Sequence, residues 1–379
     1  MNTLFDKTVI NRIKLSNRVV RSATWMGLAD EDGQVTQKLI KTMTDLANGG
    51  VGLIISGHMN ITSEGKASLL QTGIYEDKHI PGLKEMTNAV HEHNGKIIAQ
   101  LAHGGTFAKD ELINETPLAV SIFDGLSEFP RKELNTFEIS RLIEAFANAS
   151  ERAKSAGFDG IQLHSAHGYL LSQFLSPYYN RRTDKYGGNI QNRTRIITEI
   201  QSAIRKKVGN DYPILIKMNC HDFSEEGLTL KDSIQAAKTL SKVGFDAIEL
   251  SGGLLSSSKF SPCRTKINAT EKEAYFKEEA LLFKKEINIP LILVGGIRSF
   301  ETAEKLINDN TADYISMCRP FIREPNIINN WKNGNLAKSE CSSENLCFRP
   351  GHSGKGVYCM LKNKQKNKQK NKQKNTKNI

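Results

Sequence analysis

Ala156-Gly157-Phe158-Asp159-Gly160-Ile161-Gln162-Leu163-His164 reads as a helix end, a turn and a strand. Gly157 suits the left-handed residue that stops a helix, and Asp159–His164 is a short apolar run ending in a polar residue. Upstream, Ser140–Gly157 carries Leu142, Ile143, Phe146, Ala149 and Ala153 at helical spacing. Val243-Gly244-Phe245-Asp246 repeats the same turn. Arg193–Val208 and Leu230–Val243 repeat the helical pattern. Outward from here, short apolar runs recur at Asn17–Ser22, Val51–Ser56, Lys96–Leu101, Asp159–His164, Ile214–Met218, Asp246–Leu250, Pro290–Val294 and Asp313–Met317. Near-continuous apolar strands alternating with helices imply a parallel sheet covered on its faces. Eight repeats predict an α/β fold of the (β/α)8 TIM-barrel type. A doubly wound sheet is the runner-up, but no GxGxxG follows the first strand.

The remaining segments fit around that barrel. Val9–Leu15 predicts a hairpin capping the barrel floor. Phe107–Arg131, with little periodicity and several Gly and Pro, predicts a long loop over the site. The predicted domains are a barrel over 1–335, a cysteine-containing segment over 336–361 packed on or beside it, and a disordered Lys/Asn/Gln tail over 362–379.

Composition limits the function. Among 379 residues, 39% are hydrophobic and the net charge is +11. Eight lysines (362, 364, 366, 368, 370, 372, 374 and 377) lie in the tail, so the rest of the chain carries only +3. The basicity therefore belongs to a tail rather than to a binding face, and nucleic acid is not expected beyond weak contact through it. A basic-tailed RNA- or surface-binding protein is the non-enzymatic alternative. No apolar run reaches the roughly 18–20 residues of a membrane span. Met1–Ile10 contains Asp6 and does not read as a signal peptide. A cytoplasmic enzyme acting on a small molecule, open to homo-oligomerisation, is expected. Without an export signal, the six cysteines are not expected to form disulfides.

In a TIM barrel the chemistry stands at the C-terminal strand ends. Those ends place Ala23, Thr24 and Trp25 after strand one, His58 after strand two and Gln100 on strand three. His164, His167 and Tyr169 follow strand four, and Lys217 lies on strand five. Gly295 and Gly296 follow strand seven, and Cys318 and Arg319 follow strand eight. A Gly pair after strand seven with Arg319 after strand eight suits a phosphate, because glycine lets backbone N–H groups approach an anion and guanidinium forks onto its oxygens. His164 and His167 could bind a metal, donate hydrogen bonds to a polarised carbonyl beside an acidic Tyr169, or be an ordinary pair satisfied by backbone. The residues by themselves leave these readings open.

A longer pattern bears on the choice. Ile-Gln-Leu-His-Ser-Ala-His-Gly-Tyr-Leu-Leu-Ser-Gln-Phe-Leu-Ser-Pro (161–177) is followed by Asn-Arg-Arg-Thr-Asp-Lys-Tyr-Gly-Gly (180–188) and Asn192-Arg193. Together with Leu-Ser-Asn-Arg-Val-Val (15–20), Ala-Gln-Leu-Ala-His-Gly-Gly (99–105) and Arg-Pro-Phe-Ile-Arg-Glu-Pro (319–325), it resembles the Old Yellow Enzyme family over roughly residues 3–335. The resemblance implies FMN across the barrel mouth. Ala23, Thr24 and His58 would contact its ring, Gln100 its pyrimidine edge and Lys217 the N1 region. Gly295, Gly296, Cys318 and Arg319 would hold its phosphate. It also implies ping-pong hydride transfer from NADH or NADPH to FMN and then to an activated C=C bond. His164 and His167 would clamp the substrate carbonyl, and Tyr169 would donate the proton. An amine dehydrogenase or NADH oxidase on the same barrel is the alternative.

Two positions depart from the family pattern. Trp25 stands where the flavin is often tuned by Thr or Cys, unless Thr24 takes that role. Cys341, Cys347 and Cys359 resemble the iron–sulfur segment of the 2,4-dienoyl-CoA reductase branch, but the second expected cysteine is Glu344. Carboxylate is a poor cluster ligand. No metal is expected, with these three cysteines the minority candidate for one.

Overall fold

The computed structural model describes residues 2–257 and 260–365. Eight parallel strands close into a barrel in chain order: Val19–Arg21, Leu53–Asn60, Ile97–Ala102, Ile161–Ser165, Ile214–Asn219, Ala247–Ser251, Leu291–Val294 and Tyr314–Met317. Each falls on one of the eight runs read from the sequence. Helices Gln37–Asn48, Ile80–Glu92, Thr136–Ser155, Ile190–Val208, Leu230–Lys242, Lys277–Glu286 and Phe300–Asn308 connect them. The predicted start at Ser140 is late by four residues. Asn135 caps the helix, and Glu138 answers it in a capping box.

The turn that opened the reading recurs as a structural device. Gly157 has φ +82° and Gly244 φ +96°, the left-handed conformation that ends a helix. Phe158 and Phe245 follow and are buried. The next residue is an aspartate that accepts the first N–H of the preceding strand: Asp159 from Ile97 at 2.8 Å and Asp246 from Ile214 at 2.7 Å. Asp313 does the same for Leu291 at 2.8 Å. Each also meets a cation, Lys96, Arg205 and Lys284 in turn. One carboxylate thus ties two neighbouring strands and a helix at the barrel floor.

The expected hairpin is present as Thr8–Ile10 paired with Ile13–Leu15. Ile10, Ile13 and Leu15 pack on Val20, Leu53, Ile98, Leu215 and Ile292 and plug the bottom of the barrel. A larger apolar core fills the space between strands and helices. The 107–131 segment is mainly irregular, with one short helix at Asp110–Ile113 and a two-residue strand at Leu118–Ala119.

The C-terminal segment lies over the barrel mouth, where Ser343, Asn345, Phe348, Arg349 and His352 line the cavity. Residues 360–365 are helical, so the first four residues of the tail expected to be disordered have regular structure. They are held because Lys362 donates to the Arg323 carbonyl and Arg323 donates to Gln365. The rest of the tail lies outside the described residues. Among the described residues, no helix is long and apolar enough to cross a membrane.

Candidate active site

A cavity of about 600 Å3 opens at the C-terminal ends of the strands. Of the residues singled out from the sequence, Ala23, Thr24, Trp25, His58, Gln100, His164, His167, Tyr169, Lys217, Gly296, Cys318 and Arg319 all line it. Gly295 does not. Its φ is +145°, and a Cβ there would stand 3.1 Å from the Phe276 ring. Its place is behind the wall, where its carbonyl accepts the Tyr275 N–H. At Gly296, φ is +75° and a Cβ would collide with Tyr275 at 2.7 Å.

Local backbone features aim several of these side chains. The second strand runs past its predicted end at Ser56, with a register irregularity between Ile55 and His58. A bulge of this kind re-aims a side chain beside a site, and here it presents His58. Gly57 permits it, because a Cβ would lie 2.8 Å from the Thr24 carbonyl. His167 takes φ +65°, a left-handed conformation rare outside glycine. Its N–H donates to Asn219 Oδ1 at 3.1 Å, and its Nε2 meets Ser251 Oγ at 2.7 Å.

The aromatic cluster is compact. Ring centroids of His164 and Tyr169 are 4.5 Å apart, those of His164 and His167 are 5.4 Å apart, and those of His58 and Tyr169 are 5.3 Å apart. The His164 side chain has a wholly buried Nδ1 that finds no hydrogen-bond partner among the described residues. Burial holds His164 and His167 well below the usual imidazole range, reinforced by Lys217 and His58. Burial alone takes His58 down to about 4, and burial, against a hydrogen bond with Ser68 that pulls the other way, lifts the Tyr169 hydroxyl to about 12. At neutral pH the site therefore offers neutral imidazoles and a protonated phenol.

Thr24 and Trp25 part company. Thr24 Oγ1 turns inward, bonding the Ser22 carbonyl at 2.9 Å and Cys318 Sγ at 3.1 Å. The Trp25 indole points to the C-terminal segment, 5.1 Å from the His352 ring and where a Cβ at Gly351 would stand 3.1 Å from it, with Nε1 donating to the Leu69 carbonyl at 3.0 Å. Arg319 also fastens that segment, donating from one guanidinium nitrogen to the Ser343 carbonyl and to Asn345 Oδ1.

Among the described residues no three His, Cys, Asp or Glu are placed to hold an ion. Cys359 is taken up by Arg323, and burial lifts the Cys347 thiol to about 12.

Sequence reasoning missed a carboxylate buried behind the cavity wall. Glu249 is fully buried and accepts from Ser22 Oγ at 2.6 Å, Ser316 Oγ at 2.8 Å and Gln162 Nε2 at 2.9 Å. Lys217 Nζ stands 3.4 Å from it and donates to Ser22 Oγ at 2.7 Å. The signal was in the chain: Ala-Ile-Glu-Leu-Ser (247–251) carries a carboxylate inside a barrel strand.

Comparison with known proteins agrees with this geometry. The sequence pattern of the NADH:flavin oxidoreductase / NADH oxidase family matches residues 3–337. A "NADH oxidase" of Thermoanaerobacter brockii is 38% identical over 331 residues, covering 85% of this chain and 49% of the relative. An "NADPH dehydrogenase" of Geobacillus sp. (strain WCH70) is 36% identical over 325 residues, covering 85% and 91%. The solved structure of a 2-naphthoyl-CoA reductase with 2-naphthoyl-CoA superposes with a TM-score of 0.88 at 26% identity, covering 95% of this chain and 56% of that one. The chain spans about half the length of the first two curated relatives it matches.

FMN is the cofactor of that family, and the residues fit it. A cation and a carboxamide, Lys217 and Gln100, stand on the side of strands three to five. A glycine-lined wall that a Cβ would fill and a guanidinium, Gly296 and Arg319, stand on the side of strands seven and eight. The first pair would hold the polar edge of the ring and the second its phosphate. On sequence pattern, barrel and site together, this chain belongs to the NADH:flavin oxidoreductase / NADH oxidase family, to which the Old Yellow Enzyme homologues belong.

Proposed function

We propose that this protein is an FMN-dependent NAD(P)H oxidoreductase that reduces a C=C bond activated by a neighbouring carbonyl. The observation carrying this reading is the pair of buried, neutral imidazoles, His164 and His167, with the Tyr169 ring packed against His164. Bound FMN would supply the hydride-transfer chemistry in both directions, from NAD(P)H and to the alkene. The chain supplies the rest. His164 and His167 donate hydrogen bonds to the carbonyl oxygen and stabilise the charge that gathers there as the β-carbon is attacked. Because both rings are neutral, neither gives up a proton to that oxygen. His167 commits Nε2 to Ser251, which fixes its ring and leaves Nδ1 for the substrate. Tyr169 holds its proton at neutral pH and delivers it to the α-carbon.

The experiment has two parts. Purified protein should be yellow and release FMN on denaturation; a colourless protein that FMN does not reconstitute removes the reading. Tyr169→Phe should slow alkene reduction while leaving reduction by NAD(P)H near its original rate. Equal loss in both half-reactions would take the proton-donor role from Tyr169. A second reading, reoxidation by O2, draws on the NADH oxidase relative. It predicts NADH-driven O2 uptake that added enones do not suppress.

A further inference from the structure

Glu249 does not line the cavity, yet Ser22, Ser316 and Lys217, which do, all bond to it, and Gln100 reaches it through Gln162. We infer that Glu249 is the positioning residue for the polar edge of the flavin: it sets which end of the Gln100 amide faces the cavity and anchors the Lys217 ammonium against the wall. The inference rests on the reading of the cavity as an FMN site.

The argument is one of hydrogen-bond direction. Although burial alone would push the Glu249 carboxyl up, Lys217 together with Ser22, Gln162 and Ser316 hold it below the usual carboxylate range, so it is ionised. An ionised carboxylate only accepts. Gln162 must therefore present its NH2 to Glu249, as it does at 2.9 Å. That turns the Gln162 carbonyl oxygen toward its register partner Gln100, which must answer with its own NH2, at 2.7 Å. Gln100 is left with its carbonyl oxygen as the free end of the amide. Two glutamines that could each flip in isolation are locked in one direction by a charge two residues away. On the other side, the Ser22 hydroxyl proton goes to Glu249, which leaves Ser22 Oγ to accept from Lys217. The carboxylate also lies beside Lys217 and offsets its charge at the cavity wall.

Removing that charge has a signed consequence. In Glu249→Gln the side chain can both donate and accept, so both amides are free to flip and the Lys217 charge is no longer offset. The midpoint potential of bound FMN should move to a more positive value, because added positive field favours the reduced, anionic flavin. The FMN dissociation constant should rise at least tenfold. Glu249→Asp, which keeps the charge, should hold the potential near that of the parent.

Gln162→Met keeps the carboxylate and severs only the amide relay. It should weaken FMN binding and leave the potential largely in place. Potentials would be measured by dye equilibration and affinity by quenching of free FMN fluorescence on titration with apoprotein. An unchanged or more negative potential in Glu249→Gln, in protein that binds FMN, overturns the inference. If Glu249→Gln does not fold, Gln162→Met decides by affinity, and unchanged FMN binding there overturns the inference. If the parent protein binds no FMN, it is the functional reading that has failed.

Discussion

At the residue scale, the site works through side chains whose burial decides their chemistry. A histidine held neutral donates without becoming a charge, and a tyrosine raised to about 12 keeps its proton until a strong base forms beside it. His167 depends on support. Asn219 accepts its N–H and ties itself to Asp222 at 2.8 Å and to the Gly253 carbonyl at 3.1 Å. The left-handed backbone at His167 persists only while such contacts over-determine it. If His167 binds the substrate carbonyl as proposed, Asn219→Ala should weaken phenol binding about tenfold, equivalent to about 1.4 kcal/mol. Phenols mimic an enolate, and their charge-transfer band reports the affinity. Affinity equal to that of the parent would mean that His167 holds its place without Asn219.

At the element scale, the helix-end turn and the C-terminal segment make opposite predictions about where damage spreads. Gly157 is left-handed, and a Cβ there would stand 3.0 Å from Thr87 Oγ1, which already donates to the Ala156 carbonyl. Gly157→Ala should cost about 1 kcal/mol or more of stability with little change in FMN affinity, read by denaturant titration. The C-terminal segment is different because it is a wall of the cavity. Trp25, Arg319 and the Met26 carbonyl, which accepts from Val357, hold it down. Trp25→Ala should leave the barrel folded, speed proteolytic cutting within 341–353, and weaken FMN binding. Unchanged cutting would show that the indole is not the staple.

At the scale of the whole molecule, burying several neutral histidines couples stability to pH. Burial holds His58 and His103 at about 4, against 6.5 for an exposed imidazole. Below pH 6.5 the unfolded chain takes up protons that the folded chain refuses, so this contribution is complete above 6.5 and is lost as pH falls toward 4. Each group accounts for about 3 kcal/mol over that window. The apoprotein Tm should fall steadily from pH 7 to pH 4.5. In His103→Asn, which keeps an acceptor for the Gly105 N–H, the slope should be shallower. An identical slope would remove His103 from the account.

The chain by itself determined the barrel, because strand and helix periodicities and the Gly-Phe-Asp turns are local facts repeated along it. It also determined twelve residues of the cavity wall, since strand ends in a closed barrel converge wherever the strands are placed. Three things waited for the tertiary structure. Gly295 faces away while Gly296 faces in, a distinction of backbone angles that two identical residues cannot announce. The Trp25 indole turns to His352, a partner 327 positions along the chain that no local pattern identifies. Glu249 reads locally as one misplaced charge in a strand. Only closing the barrel brings Ser22, Gln162, Lys217 and Ser316 around it, and a buried carboxylate takes its meaning from the donors that surround it.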